Sequence, residues 1–381
     1  MKGNAIIMEP SVLINQAQDL ANVMREKTGP FTQIVEHALT PEEIQLIRRV
    51  FIFGDGDSYH AARAMEMAFE NIADIPCEPM SSQRFLDYQA EWLRVKEPND
   101  TLVIGISASG KTQRVIQGLS KANKYGGLTI ALTGTSGSQV SKIAQRTICV
   151  DLPDMGPSPG IRTYNASLMG LGLLALYISD VTESQDRSEL MKNRDQFTHL
   201  ADAMDETILA AEIPAKKAAT ELKDAQAMMF LGSGPSYGTA LFCAAKIVEA
   251  AGVFAVGQDL EEWAHVERFA YPTNMPVFII APPGRSYQRA AKLAHAAHHY
   301  GRRVVAVIND GDTEISPHVD YVFPIPGYIR EEFSPLVFHI ATNFFASYLT
   351  EYLERKPFQS DKPEIREKYQ TVSAFQLSIE T

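Results

Sequence analysis

Ten residues, FGDGDSYHAA (Phe53 to Ala62), return without a gap as LGSGPSYGTA (Leu231 to Ala240), at an offset of 178. Both spell G-x-G-x-S-Y-x-x-A. Further on, TQRVIQGLSKANKYGGLTIAL from Thr112 aligns with YQRAAKLAHAAHHYGRRVVAV from Tyr287 at an offset of 175, matching Gln113-Arg114 to Gln288-Arg289 and Tyr125-Gly126 to Tyr300-Gly301. Two offsets that differ by only three residues amount to one short loop deletion, so the chain reads as two copies of one folding unit.

Within each copy, short β-rich runs alternate with amphipathic stretches. VFIFG, TLVIGIS, LTIALTG and TICVDLP are the strands of the first copy; AMMFLG, PVFIIAP, RVVAVIN and YVFPIP are those of the second. Helical stretches follow the first strands (Ala61 to Phe69, Ala240 to Ala250) and the second ones (Gln113 to Lys124, Gln288 to Tyr300). This order predicts an α/β fold of two tandem homologous domains, each a parallel sheet flanked by helices. The strands are almost wholly apolar, as strands covered on both faces must be. Residues 1–48 read as a helical arm, 49–182 as the first domain, 183–225 as a helical linker, 226–355 as the second domain and 356–381 as a charged tail. Ser334-Pro335 looks like a cap and first-turn proline opening a helix to about Glu354.

The 381 residues carry a net charge of −11 and no long basic run, which argues against nucleic acid and anionic membranes as partners. Cys77, Cys149 and Cys243 are odd in number and far apart, the usage of core thiols in a reducing compartment. MKGNAIIMEP lacks the apolar stretch of a signal peptide, and the most apolar run, Ala166 to Ile178, is too short to span ~30 Å of hydrocarbon. A soluble cytoplasmic protein is expected. His295 to His299 (HAAHH) has no neighbouring carboxylates and reads as a polar helix face, so no metal and no cofactor are expected.

Gly105 to Thr112, GISASGKT, fits the pattern of a nucleotide-binding P-loop. That reading also needs an acid at the end of a neighbouring strand to hold Mg²⁺, and LTIALTG ends without one. The hydroxyls offer another use for the turn. Ser107, Ser109 and Thr112 cluster at a helix start, Ser58 lies in the first strand's loop, and Thr163 opens another helix. With backbone N–H groups they suffice for one phosphate monoester. The second copy has APPGRS there, whose prolines remove donors, so the anion site belongs to the first domain. In the second domain, CAAKIVEAAGVFAV is apolar except for Lys246 and Glu249, and a carboxylate so placed should have a raised pKa suited to moving protons near neutral pH.

The duplicated architecture with S-x-S-G-x-T in its first half resembles the sugar isomerase (SIS) domain family, and most of all the isomerase part of glucosamine-6-phosphate synthase, over roughly residues 45 to 373. The resemblance implies that Ser58, Ser107, Ser109 and Thr112 hold a sugar 6-phosphate, although Ala108 and Lys111 stand where the family has Q and E in SQSGET, which leaves room for another sugar or a sulfonate. It places Glu249 on the proton-shuttling glutamate, Lys246 on its lysine and His265 on the ring-opening histidine. DKPEIREKYQTV puts Lys368 on the family's C-terminal Schiff-base lysine. It further implies a homodimer in which His265 serves its own or the neighbouring subunit's site. The resemblance covers the isomerase part and not the glutaminase domain, so three reactions are expected to be open to the chain: aldose–ketose isomerisation, deamination of an amino sugar phosphate, or deglycation of a fructosamine 6-phosphate. A non-catalytic sugar-phosphate sensor is the remaining alternative.

Overall fold

The computed structural model describes residues 7–365 and 367. Three helices lead in: α1 (Val12–Gln18), α2 (Leu20–Ala38) and α3 (Pro41–Leu46), the last closed by a capping box between Thr40 and Glu43. The first sheet follows, with β1 (Arg49–Gly54), α4 (Asp57–Asn71), β2 (Cys77–Ser81), the one-turn α5 (Ser82–Arg84), β3 (Thr101–Ile106), α6 (Gln113–Lys124), β4 (Leu128–Thr133), α7 (Gln139–Ile143) and β5 (Arg146–Cys149). Helices α8 (Arg162–Thr182) and α9 (Arg187–Leu222) then lead to the second sheet. It comprises β6 (Ala227–Gly232), α10 (Pro235–Ala251), β7 (Phe254–Asp259), α11 (Leu260–His265), β8 (Pro276–Ala281), α12 (Tyr287–His299), β9 (Arg303–Asn309) and β10 (Tyr321–Ile325), and α13 (Ile340–Tyr352) packs along α9.

Both sheets are parallel and run in one order, β2-β1-β3-β4-β5 and β7-β6-β8-β9-β10. Each therefore has its reversal of strand order between its first and third strands, where ligands of open α/β sheets bind. The turn from β1 to α4 passes through Gly56 at φ +54°, and that from β6 to α10 through Gly234 at φ +57°. Only glycine takes that backbone readily, which is why G-x-G appears in both copies.

Helices α4 and α10 form the seam between the sheets, crossing so closely that a Cβ on Gly238 would stand 2.3 Å from the Ala64 amide nitrogen. They run antiparallel there: the first turn of α4 meets the last turns of α10.

The structure adds one strand per sheet to the four expected. β2 (CEPMS) and β7 (FAVGQD) are edge strands, half open to solvent, and neither has the apolar run that marks a buried strand. Ser334-Pro335 does not open the last long helix. It lies in a 3₁₀ segment, Glu331–Leu336, where Ser334 Oγ donates to the Glu331 carbonyl, and α13 starts only at Ile340. The apolar run at Ala166 extends into the 21-residue α8, long and apolar enough by composition to cross a membrane. Most of it (78% of its most apolar stretch) is instead buried against the helices around it.

Candidate functional site

The turn after β3 lies beside the turn after β1, at the strand-order reversal of the first sheet. Ser107 is buried, its N–H donates to the Leu132 carbonyl, and Gly110 N–H closes the turn on the Ser107 carbonyl. Thr112 occupies the N-cap position of α6, yet its side chain caps nothing and pairs instead with Ser107 Oγ at 2.9 Å. Ser109 is exposed, 3.4 Å from the Lys111 amide. Ser58, in the first turn of α4, backs onto Gly54 beside the Ile106 carbonyl, one residue before Ser107. Three of the hydroxyls expected to bind an anion thus share one edge with the N-terminus of α6, and Ser58 joins them from α4.

A charge cluster spans the seam next to them. Lys246, wholly buried on α10, sits 2.8 Å from Asp57 Oδ2 of α4 and 2.5 Å from Glu249 Oε2 one turn on. Its ammonium also lies 4.9 Å from the centre of the Phe242 ring. Burial disfavours a charged lysine, but the two carboxylates outweigh it and raise its pKa. Burial also opposes ionisation of Asp57, yet Lys246 and His60 more than offset this and hold its carboxyl below the usual range. Glu249 goes the other way. Burial, joined by the charge of Asp57, raises its pKa against the pull of Lys246. Thr163 belongs to the same corner: a Cβ on Gly160 would lie 2.9 Å from both Thr163 Oγ1 and Asp57 Oδ2.

Glu249 also opens onto a cavity of about 540 Å³, walled on the far side by Glu354, Arg355, Lys356, Phe358 and residues up to Lys362. The start of the C-terminal tail therefore faces Glu249. Lys368 lies outside the described residues.

Lys246 stands between carboxylates rather than among the hydroxyls, so the structure does not group it with the hydroxyl-lined turn. His265 is set apart as well. It ends α11, with a side chain 72% exposed and its Nε2 3.3 Å from Glu261. Helix α10 carries Glu249 back to the amino edge of the second sheet, whereas His265 follows the carboxyl end of β7. Six residues of strand, about 20 Å, separate those edges, so one chain does not bring the two residues together. Among the described residues no group of three or more His, Cys, Asp or Glu side chains is placed to hold a metal ion.

Asp57 was not among the residues expected from sequence. The available signal was an acid in G-x-G-D-S-Y where the second copy has Pro235. The repeat also shows what the second cleft lacks. Ala68 and Asn71 occupy the positions of Lys246 and Glu249, and Asn71 is held by Arg285 and Glu332. The turn Ala281 to Ser286 is filled by the protein's own Glu331 carboxylate, which accepts from the Arg285 amide at 3.0 Å. All three of its terminal atoms lie within 2.6 Å of where a Gly284 Cβ would be.

This arrangement, a hydroxyl-lined turn at one sheet's reversal point with a buried acid–lysine–acid cluster across the seam, coincides with a family match: residues 43–177 fit the family described as SIS domain. The chain is homologous to the isomerase part of glutamine–fructose-6-phosphate aminotransferase: it is 28% identical to the isomerizing enzyme of Aquifex aeolicus over 316 residues, 82% of this chain and 50% of that one. The chain spans about half the length of the curated relatives it matches. In fold it is similar to the C-terminal domain of glucosamine-fructose-6-phosphate aminotransferase from Francisella tularensis (TM-score 0.68, 17% identity, 88% of this chain and 96% of that one). It is likewise similar to tagatose-6-phosphate ketose/aldose isomerase from Escherichia coli (TM-score 0.69, 12% identity, 94% and 98%).

Proposed function

We propose that the protein is a phosphosugar isomerase built from two homologous SIS-type halves, acting on a hexose or amino-hexose 6-phosphate by proton transfer between neighbouring carbons. The observation that carries this reading is the seam itself. A carboxylate of raised pKa, Glu249, stands on one half, and a hydroxyl-lined anion turn stands on the other, joined through Asp57 one residue from Ser58. The turn holds the anionic end through Ser58, Ser107, Ser109 and Thr112, with Thr163 closing the corner. Glu249 takes the proton from C2 (or C1) and returns it to the adjacent carbon through an enediol or enolamine. Lys368, beyond the cavity-lining tail, holds the carbonyl as an iminium or by a hydrogen bond. Because His265 lies at the opposite edge of its own sheet, the ring-opening histidine comes from a second copy, and the working form is a homodimer.

The test is a proton NMR time course in D₂O with fructose 6-phosphate, glucosamine 6-phosphate and fructoselysine 6-phosphate. Deuterium entering C1 or C2 of a 6-phosphate is the expected result, and the substrate that exchanges separates isomerase, deaminase and deglycase chemistry. Saturable binding of these sugars with no exchange in any of them would make the protein a sensor and overturn the reading.

A further inference from the structure

We propose that Asp57 is a positioning residue for the proton transfer: from the first turn of α4 it draws Lys246 across the seam and leaves Glu249 as the carboxylate able to accept a proton. The inference rests on the function proposed above and goes beyond it, since Asp57 belongs to the half that binds the anion and the base belongs to the other.

The geometry carries the assignment. Lys246 is the cation between two carboxylates, and its stem is packed so that it is wholly buried. Asp57 contributes one oxygen to it. The other, Oδ1, is shut away from solvent with no hydrogen bond among the described residues; His60 Nδ1 stands 3.8 Å away. A carboxylate held like this in a cleft keeps its charge chiefly through Lys246, with His60 adding to it. In return its charge repels that of Glu249 across the shared ammonium. Were Asp57 neutral, Lys246 would pair with Glu249 only, and Glu249 would become a weaker base.

The surrounding groups leave that exchange to the cluster. On α10, burial keeps the Cys243 thiol protonated, its pKa pushed up to about 12. On α8, burial likewise keeps the Tyr164 phenol protonated. Ahead of α13, burial together with the charge of Lys246 drives His339 down to about 3, so that it is neutral. On α4, His60 is the remaining titratable neighbour. Across the cavity from Glu249 stand Glu354, Arg355, Lys356, Asp361 and Lys362. Tyr164 and His339 feel the charge of Asp57 as well, but burial holds both neutral, so a change at Asp57 reports on the Asp57–Lys246–Glu249 unit and on His60 beside it.

The experiment measures Glu249 directly. Protein labelled with carbon-13 at glutamate Cδ is titrated from pH 4 to 9, and the Glu249 resonance is assigned by its loss in E249Q. In D57N the Glu249 midpoint is expected to fall by about one pH unit. In activity assays kcat should drop about tenfold or more, its acidic limb should shift to lower pH, and KM for the 6-phosphate should stay within about twofold, since the hydroxyls are untouched. D57S, which admits water beside Lys246, serves if D57N does not fold. An unchanged Glu249 midpoint overturns the proposal. A shifted midpoint in a protein that exchanges no sugar-phosphate proton would sustain Asp57's hold on Glu249 while sinking the proposed reaction, so the two failures are told apart.

Discussion

Replacing Lys246 by Met removes the ammonium that pairs with two carboxylates in one pocket, and the structure sets the size of the effect. With contacts of 2.8 and 2.5 Å and an effective dielectric of ~20, each pair is worth about 6 kcal/mol gross. Burying the ammonium costs several kcal/mol of that, and breaking a buried pair by removing one partner leaves a net loss of about 3 to 5 kcal/mol. For a chain of this length that is a fall in Tm of about 5 °C. The pH dependence is the sharper part. In the wild type Lys246 has a raised pKa, so its contribution is complete below the ordinary lysine value of 10.5 and is lost only above it. Asp57 has a lowered pKa, so its share is present at neutral pH and is lost on acidification. In K246M both carboxyls lose their counter-ion, and one or both are raised above their unfolded values. The mutant's deficit must then grow as pH rises from 5 to 8, because protonation relieves it at the acidic end. Urea denaturation of both proteins at pH 5 and pH 8 measures this. A deficit under about 1 kcal/mol at pH 8, or one equal at both pH values, would refute the reasoning.

Other expectations concern the reaction itself. Glu249→Gln should lower kcat by about 10³ or more while sugar-phosphate affinity, measured by calorimetry, stays within about twofold; near-normal turnover would remove Glu249 as the proton carrier. Ser109→Ala combined with Thr112→Ala deletes two hydroxyl contacts to a charged group and should raise KM about 100-fold, and an unchanged KM would take the turn out of the anion site. Mixing inactive E249Q with inactive H265A should restore about a quarter of wild-type activity, because half the dimers then hold one intact site made from both chains. No recovery after subunit exchange would return His265 to some other role.

The repeat made much of this architecture legible before any coordinates. FGDGDSYHAA and LGSGPSYGTA locate the two first strands and the glycine turns that follow, since Gly56 and Gly234 both need a backbone other residues avoid. The central strands announce themselves as apolar runs. β2 and β7 do not, because an edge strand has one exposed side and tolerates Glu78, Pro79 and Gln258. Ser107, Ser109 and Thr112 were readable as a local cluster. Asp57 was not, because its role depends on a residue 189 positions away, and that proximity exists only once α4 and α10 cross. The separation of His265 from Glu249 was equally hidden. Sixteen residues in sequence become opposite sheet edges because a strand intervenes.

On the proposed reading, the sequence repeat also explains why the molecule has one working seam rather than two. An approximate exchange of the halves would put the start of α10 against the end of α4, just as the start of α4 meets the end of α10. At the first of these places the residues are Pro235, Ala68 and Asn71, and the adjoining turn is filled by Glu331. Burial and the neighbouring Glu332 raise the pKa of that carboxyl, and the Arg285 amide offsets the effect only in part. A backbone cradle suited to an anion has thus been satisfied from within the chain, and Asn71 opposite it is tied up by Arg285 and Glu332. At the second place Asp57, Lys246 and Glu249 remain, and the cradle there is lined by hydroxyls, with no carboxylate bonded into it among the described residues. On the proposed reading, the second half then serves two clefts: its own chain's through the end of α10, and a partner's through His265.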